Sequence, residues 1–180
     1  MRICFYGAGS KELKSKYIEE GYKLGQEIAK KGHELVFGGG INGMMGAVSK
    51  GVMDNGGQAL GIAPSWINEF EPLKNSCTEF IYTKTMDERK NLFLEHSDVF
   101  VIGPGGIGTL DEFYEIITLK ALNQHDKNIV VFNCHGFYNK LNETFLYMVG
   151  EGVIKRDMNE LFQVRQTVEE VMDYVENPQD

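Results

Sequence analysis

Short, almost wholly apolar runs alternate with longer segments of helical period along this chain, and that rhythm admits few folds. ICFY (3–6), ELVF (34–37), ALGIA (59–63), TEFIYT (78–83), DVFVIG (98–103) and NIVVF (128–132) are the apolar runs. Strands this apolar are covered on both faces, which calls for parallel pairing with helical crossovers. Between the first two, Leu13, Tyr17, Leu24 and Ile28 recur at spacings of four and seven, laying one apolar stripe over a Lys- and Glu-rich face. Helices are also expected over Met44–Asn55, over Met86–His96, from Thr109 onward and in GFYNKLNETFLYM (136–148), and a last pair, LFQV then Thr167–Glu176, completes the count. The expected fold is one α/β domain over residues 1–180, a Rossmann-like, doubly wound parallel sheet of about seven strands with helices on both faces. Only Pro64–Ser76 breaks the rhythm, as a long polar and aromatic loop of the kind that carries function.

A chain of 180 residues, 42% hydrophobic, supports one sizeable core. Its 18 basic residues face 26 acidic ones, a net charge of -8, which argues against a nucleic-acid polymer as partner. Any phosphate it binds must be held by local donors. Cys4, Cys77 and Cys134 are far apart and lack CxxC spacing, so neither a disulfide framework nor a zinc site is implied. His33, His96, His125 and His135 are scattered without ligand spacing, and no metal is expected. RICFYG is too short for a signal peptide and no later run is long enough to cross a bilayer, so the expected location is cytoplasmic, away from membranes.

Three of the expected strands run into glycine: YGAGS (6–10), GGGINGMMG (38–46, with Gly39 and Gly40) and GPGGIG (103–108, with Gly105). In an open parallel sheet such turns gather at the carboxyl edge, where ligands bind at the reversal of strand order. Any one could be a plain turn, whereas three together favour a ligand. Two of the loops match G-x-G-x-x-G, but neither is followed at the right distance by the carboxylate that a dinucleotide ribose needs, and no GK[ST] follows to make a P-loop. What survives is an anion site of mononucleotide size, with exposed backbone N–H groups and two helix N-termini aimed at one phosphate.

Two readings of Glu112 are open from spacing. Thr109-x-x-Glu112 fits a capping box, in which the glutamate only fastens the helix start. Alternatively, a carboxylate in a first helical turn beside a phosphate loop reaches the sugar that carries the phosphate. Arg89 and Lys90, near the start of the Met86–His96 helix, should lie at the same edge of the sheet, and an arginine there is suited to bidentate contact with carboxylate or phosphate.

PGGIGTLDE (104–112) fits the signature PGGxGTxxE, and together with MDERK (86–90) and GGGINGMMG it resembles the LOG family, the cytokinin riboside 5′-monophosphate phosphoribohydrolases. The resemblance runs from the first strand to about Gly152. It implies a Rossmann-like homodimer without a cofactor that hydrolyses the N-glycosidic bond of a purine nucleoside 5′-monophosphate, adenine or N6-modified adenine, to free base and ribose 5-phosphate. It makes Arg89 and Glu112 the catalytic pair. It also places Lys90, Gly106, Ile107, Gly108, Thr109 and Thr118 around the nucleotide and brings Glu71 to the substrate. Two departures, Asp87 where the family often has histidine and YGAGS where its first loop is CGSS-like, touch the pocket rim and bear on substrate preference. Such a reaction passes through an oxocarbenium-like sugar, so a carboxylate can stabilise positive charge and take a proton from water, while a neighbouring arginine holds it ionised. Three rivals remain: a non-catalytic nucleotide or cofactor carrier on the same fold, a nucleotide sensor working through a dimer interface, and lysine decarboxylase, a label attached to relatives. The last needs a pyridoxal phosphate Schiff-base lysine, for which the chain shows no framework.

Overall fold

In the computed structural model, which describes residues 1–69, 72, 73, 77–155 and 157–178, seven strands form one parallel sheet. The strands are β1 (Arg2–Tyr6), β2 (Glu34–Phe37), β3 (Gln58–Pro64), β4 (Glu79–Thr83), β5 (Val99–Ile102), β6 (Asn128–Phe132) and β7 (Gln163–Arg165). Their spatial order is β4-β3-β2-β1-β5-β6-β7. The chain winds outward from β1 to β4 on one side, then returns beside β1 and winds outward again from β5 to β7. β1 therefore pairs with both β2 and β5, and the strand order reverses between β1 and β5.

Helices α1 (Ser15–Lys30), α2 (Gly43–Asp54), α3 (Met86–His96), α4 (Ile107–Ala121), α5 (Asn139–Gly150), α6 (Met158–Leu161) and α7 (Val168–Glu176) cover both faces. The two-residue period of β1 divides the core between them. Ile3 and Phe5 point into a cluster with Leu24 and Ile28 of α1, Val48 of α2 and Val171 of α7. Cys4 and Tyr6 point into the opposite cluster, with Phe93 of α3, Phe113 and Ile116 of α4 and Phe145 of α5. Burying this much aliphatic and aromatic surface, at about 25 cal/mol per Å2, is the main term favouring the fold.

The apolar runs are strands as expected, and the Met86–His96 helix has the expected bounds. The Thr85 hydroxyl accepts the Glu88 N–H at 3.1 Å and fixes its start. α4 requires a correction. It begins at Ile107, with Gly106 as its N-cap and no side-chain cap, so Thr109 is already the third helical residue and the Thr109–Glu112 capping box does not form. The glycine backbone turns into the helix earlier than the threonine would have required, and Thr109 tucks under Gly105, where a Cβ would overlap the Thr109 hydroxyl. A capping box does form at the start of α7, between Thr167 and Glu170. The irregular segment contains a short 3-10 helix, Ser65–Glu69, while Glu71 lies outside the described residues. Among the described residues no helix is long and apolar enough to cross a membrane.

Candidate active site

The reversal of strand order brings the first and third glycine loops side by side. The Gly103 N–H donates to the Tyr6 carbonyl at 2.8 Å, and the Ala8 N–H donates to the Pro104 carbonyl at 2.9 Å. From the N-cap of α5, the Tyr138 hydroxyl reaches across to the Gly103 carbonyl at 2.8 Å and anchors the third loop on its far side. Above these loops opens a crevice of about 320 Å3. Gly7, Ala8, Gly9 and Ser10 form one wall, and Gly106, Gly108 and Thr109 of the α4 start form another. Met45, Ile67 and Met86 supply an apolar side, and Arg89 and Glu112 stand together in the same space.

The glycines at the α4 start are not explained by packing. A Cβ added at Gly106 or Gly108 would meet nothing within 4 Å, and neither glycine holds a positive φ. Both open onto the crevice, and the helix start carries no side-chain cap and no acidic residue in its first turn. The first N–H groups of an α-helix have no intrahelical acceptor, so here they are presented to whatever anion enters. The start of α2 differs from the expectation of two open helix ends. Its Met45 N–H is spent on the Ala8 carbonyl at 3.2 Å, and the first loop packs against Gly43 too closely for a Cβ.

Arg89 and Glu112 are 7% and 8% exposed, with Arg89 Nη2 3.3 Å from Glu112 Oε1. Three elements position the arginine. α3 carries it, the Ile62 carbonyl at the end of β3 accepts from Nε at 3.2 Å, Phe93 lies 5.0 Å beneath the guanidinium, and Glu112 faces it from α4. A buried ion pair returns little net stability once both groups are stripped of water, and an apolar pair of similar volume would serve the fold as well. Such a pair at the mouth of a crevice is the arrangement expected of a functional site. Beneath it the interior is uncharged. Burial pushes the Tyr6 phenol well above its usual value, with Cys4 and Glu112 adding to the shift, and burial likewise pushes up the Cys4 thiol.

The other expected site residues that are described fall in four places. Gly105, Gly106, Gly108 and Thr109 are at the crevice, with Gly105 acting through the fit of Thr109 beneath it. Lys90, one residue from Arg89, turns to the outside of α4, where it meets Asp111 at 2.9 Å and Glu115 at 2.5 Å. Burial pushes its ammonium down, but Glu115 and then Asp111 outweigh that, and the net shift is upward. Gly39 and Gly40 sit toward β4, Gly39 at φ +79 against Phe80 and Gly40 bridged to Leu73. Ile107 and Thr118 are on the exposed face of α4, Thr118 lining a separate groove with Leu122 and Val153. The first loop was expected at this edge, but none of its residues was singled out, and Ile67 and Met86 were not on the expected list. The reversal rule at β1 was the signal for the loop, whereas nothing in the spacing marks Ile67 and Met86. Among the described residues no cluster of His, Cys, Asp and Glu could hold a metal.

Residues 45–175 match a family model described as possible lysine decarboxylase. Cytokinin riboside 5′-monophosphate phosphoribohydrolase LOG3 of Arabidopsis thaliana is 35% identical over 175 residues, spanning 97% of this chain and 81% of that protein. LOG5 of the same plant is 36% identical over 161 residues, or 89% and 71% of the two chains. LOG of Oryza sativa subsp. japonica is 34% identical over 171 residues, or 95% and 71%. Among solved structures, a Moco carrier protein from Chlamydomonas reinhardtii has a TM-score of 0.73 over 98% of this chain and 95% of that one, and its 23% identity speaks for a shared fold alone. With its motifs gathered at one crevice and relatives aligned over nearly its whole length, the chain belongs to the LOG family.

Proposed function

We propose that this protein is a hydrolase of the N-glycosidic bond of purine nucleoside 5′-monophosphates, cytokinin-type nucleotides among them. The observation that carries the reading is the buried Arg89–Glu112 pair standing in the same crevice as the uncapped, glycine-lined start of α4. The 5′-phosphate rests on the N–H groups of that helix start, the base lies along Met45, Ile67 and Met86, and C1′ of the ribose comes to Glu112. As the C1′–N9 bond breaks, its electron pair leaves with the base, which is protonated on a ring nitrogen. Glu112 stabilises the positive charge growing on the sugar and takes a proton from the water whose oxygen bonds to C1′. Arg89 keeps Glu112 ionised and fixed in direction. The phosphate is remote from the bond that breaks, so its binding energy serves alignment.

Lysine decarboxylation fits poorly. Lys90 is held by two carboxylates with its ammonium pushed up, the reverse of the depressed value a Schiff-base lysine needs, and no lysine is among the described residues lining the crevice. A carrier that binds without cleaving would gain nothing from a desolvated carboxylate beside the ribose. The same reading carries a homodimer. Ile107, Tyr114, Thr118 and Leu122 form an exposed stripe along α4, and beside Leu122 it continues into Val153, after α5. An interface along that face covers Ile107 and Thr118, which accounts for their distance from the crevice floor. The activity is tested by chromatography of base released from AMP, from N6-isopentenyl-AMP and from adenosine. Both nucleotides should yield free base and ribose 5-phosphate, with adenosine cleaved at least about a hundredfold more slowly for want of the phosphate anchor. Equal cleavage of adenosine and AMP would remove the α4 start from the account.

A further inference from the structure

Gly38 ends β2 at the back of the crevice, and its neighbours set it apart from the other glycines. A Cβ built there would overlap Arg89 Nη2 and would stand 3.5 Å from Arg89 Cζ and 3.3 Å from Met45 Sδ. Its backbone is not in the left-handed region, so conformation does not demand a glycine at this position. What demands it is the guanidinium. Nε is tied to the Ile62 carbonyl, and Cζ lies over Phe93. The remaining freedom is a rocking of the whole planar guanidinium that carries Nη2 toward or away from Glu112, and the space a side chain at Gly38 would fill is what Nη2 occupies.

We propose that Gly38 is a positioning residue for the catalytic pair: the absence of a side chain at the end of β2 lets Arg89 Nη2 stand where it meets Glu112. The proposal rests on the hydrolase reading of the same site and adds to it the device that aims the arginine. Both atoms that an added methyl group would press lie toward the ends of flexible side chains, Arg89 and Met45, so the guanidinium yields before the backbone does. A small displacement of an orienting group away from the reacting carbon is enough to cost one to two orders of magnitude in rate. The phosphate contact is made elsewhere in the crevice, and Met45, whose Sδ would stand 3.3 Å from the added methyl, gives way by only a few tenths of an ångström, so substrate binding is largely spared.

The test combines Gly38→Ala, Arg89→Lys and the double variant. In a crystal structure of Gly38→Ala, the Arg89 Nη2 to Glu112 Oε1 separation should open from 3.3 Å to beyond the ion-pair limit of about 4 Å. Its kcat for AMP hydrolysis should fall by about tenfold to a hundredfold with KM within about twofold of wild type. Lysine has no Nη2, so adding Gly38→Ala to Arg89→Lys should change kcat by less than about twofold, the non-additivity expected of contacting residues. An unchanged separation, an unchanged kcat, or a loss as large in the Arg89→Lys background as in wild type overturns the proposal. So does a Gly38→Ala chain too unstable to purify, because the backbone rather than the guanidinium would then have given way. If wild type releases no base from any nucleotide, the hydrolase reading fails by itself, and the measured separation in Gly38→Ala alone decides whether Gly38 aims the arginine.

Discussion

Gly108 is costly to the fold, and the proposed function makes it useful to the site. In the first turn of α4 it gives up helix propensity, and no neighbour requires its missing side chain. Gly108→Ala should therefore raise stability by about 0.4 to 1 kcal/mol, read by chemical denaturation, while raising KM for AMP roughly tenfold, because a methyl group would stand where the phosphate approaches the helix start. A variant that gains stability and keeps its KM would mean that the phosphate sits elsewhere. Arg89 and Glu112 could be picked out from the sequence because MDERK and PGGIGTLDE are compound signatures. The direction in which Lys90 points could not, since its partners Asp111 and Glu115 belong to a different helix and meet it only across packed elements. Gly38 was equally hidden, as its neighbour Arg89 comes from α3, across β3, and no local pattern records the contact.

At the scale of elements, legibility followed local capping chemistry. The start of α3 is fixed by a side-chain cap, Thr85, whereas α4 starts on glycines, which carry no capping group, and the Thr109–Glu112 spacing pointed three residues too late. The turn from α4 to β6 carries a pH dependence of its own. His125 Nε2 lies 2.8 Å from the Ile116 carbonyl and Nδ1 accepts the Lys127 N–H at 3.2 Å, so the ring is held as the neutral Nε2–H tautomer. Burial pushes its pKa below the ordinary 6.5, the Ile116 carbonyl opposes that, and Lys120 and Lys127 add to the lowering. The unfolded imidazole takes a proton that the folded one resists. Stability is therefore lost as pH falls through about 6.5 toward the lower folded value. His125→Gln should flatten the fall in stability between about pH 7 and pH 5, measured by urea denaturation at each pH. An unchanged slope would place the titrating group elsewhere.

Over the whole molecule, the alternation of apolar runs and helical segments was enough to anticipate a seven-stranded doubly wound sheet, because strands covered on both faces and joined by crossovers have few other solutions. The position of the crevice followed from the strand order, with both flanking loops drawn from β1 and β5. The apolar Met45, Ile67 and Met86 side was not legible, since residues from α2, the Ser65–Glu69 turn and α3 come together only once the sheet has formed. At this scale the exposed apolar face along α4 predicts a homodimer of twice the 20.3 kDa chain mass in sedimentation equilibrium. Leu122→Asp, at a residue 63% exposed, should shift it to monomer without unfolding it, and a monomeric wild type would contradict the assignment.

The central claim is that a buried carboxylate, aimed by an arginine, cleaves a nucleotide held by a helix start. Its most direct test is single-turnover release of free base from AMP by wild type and by Glu112→Gln, with AMP binding measured on both by calorimetry. Gln preserves the shape of Glu112 and removes its capacity to take a proton or to stabilise a cation. The account predicts that Glu112→Gln binds AMP within about threefold of wild type and releases base at least about a hundredfold more slowly, the lower end of the range spanned by loss of a general base. Base release by Glu112→Gln at the wild-type rate would contradict it.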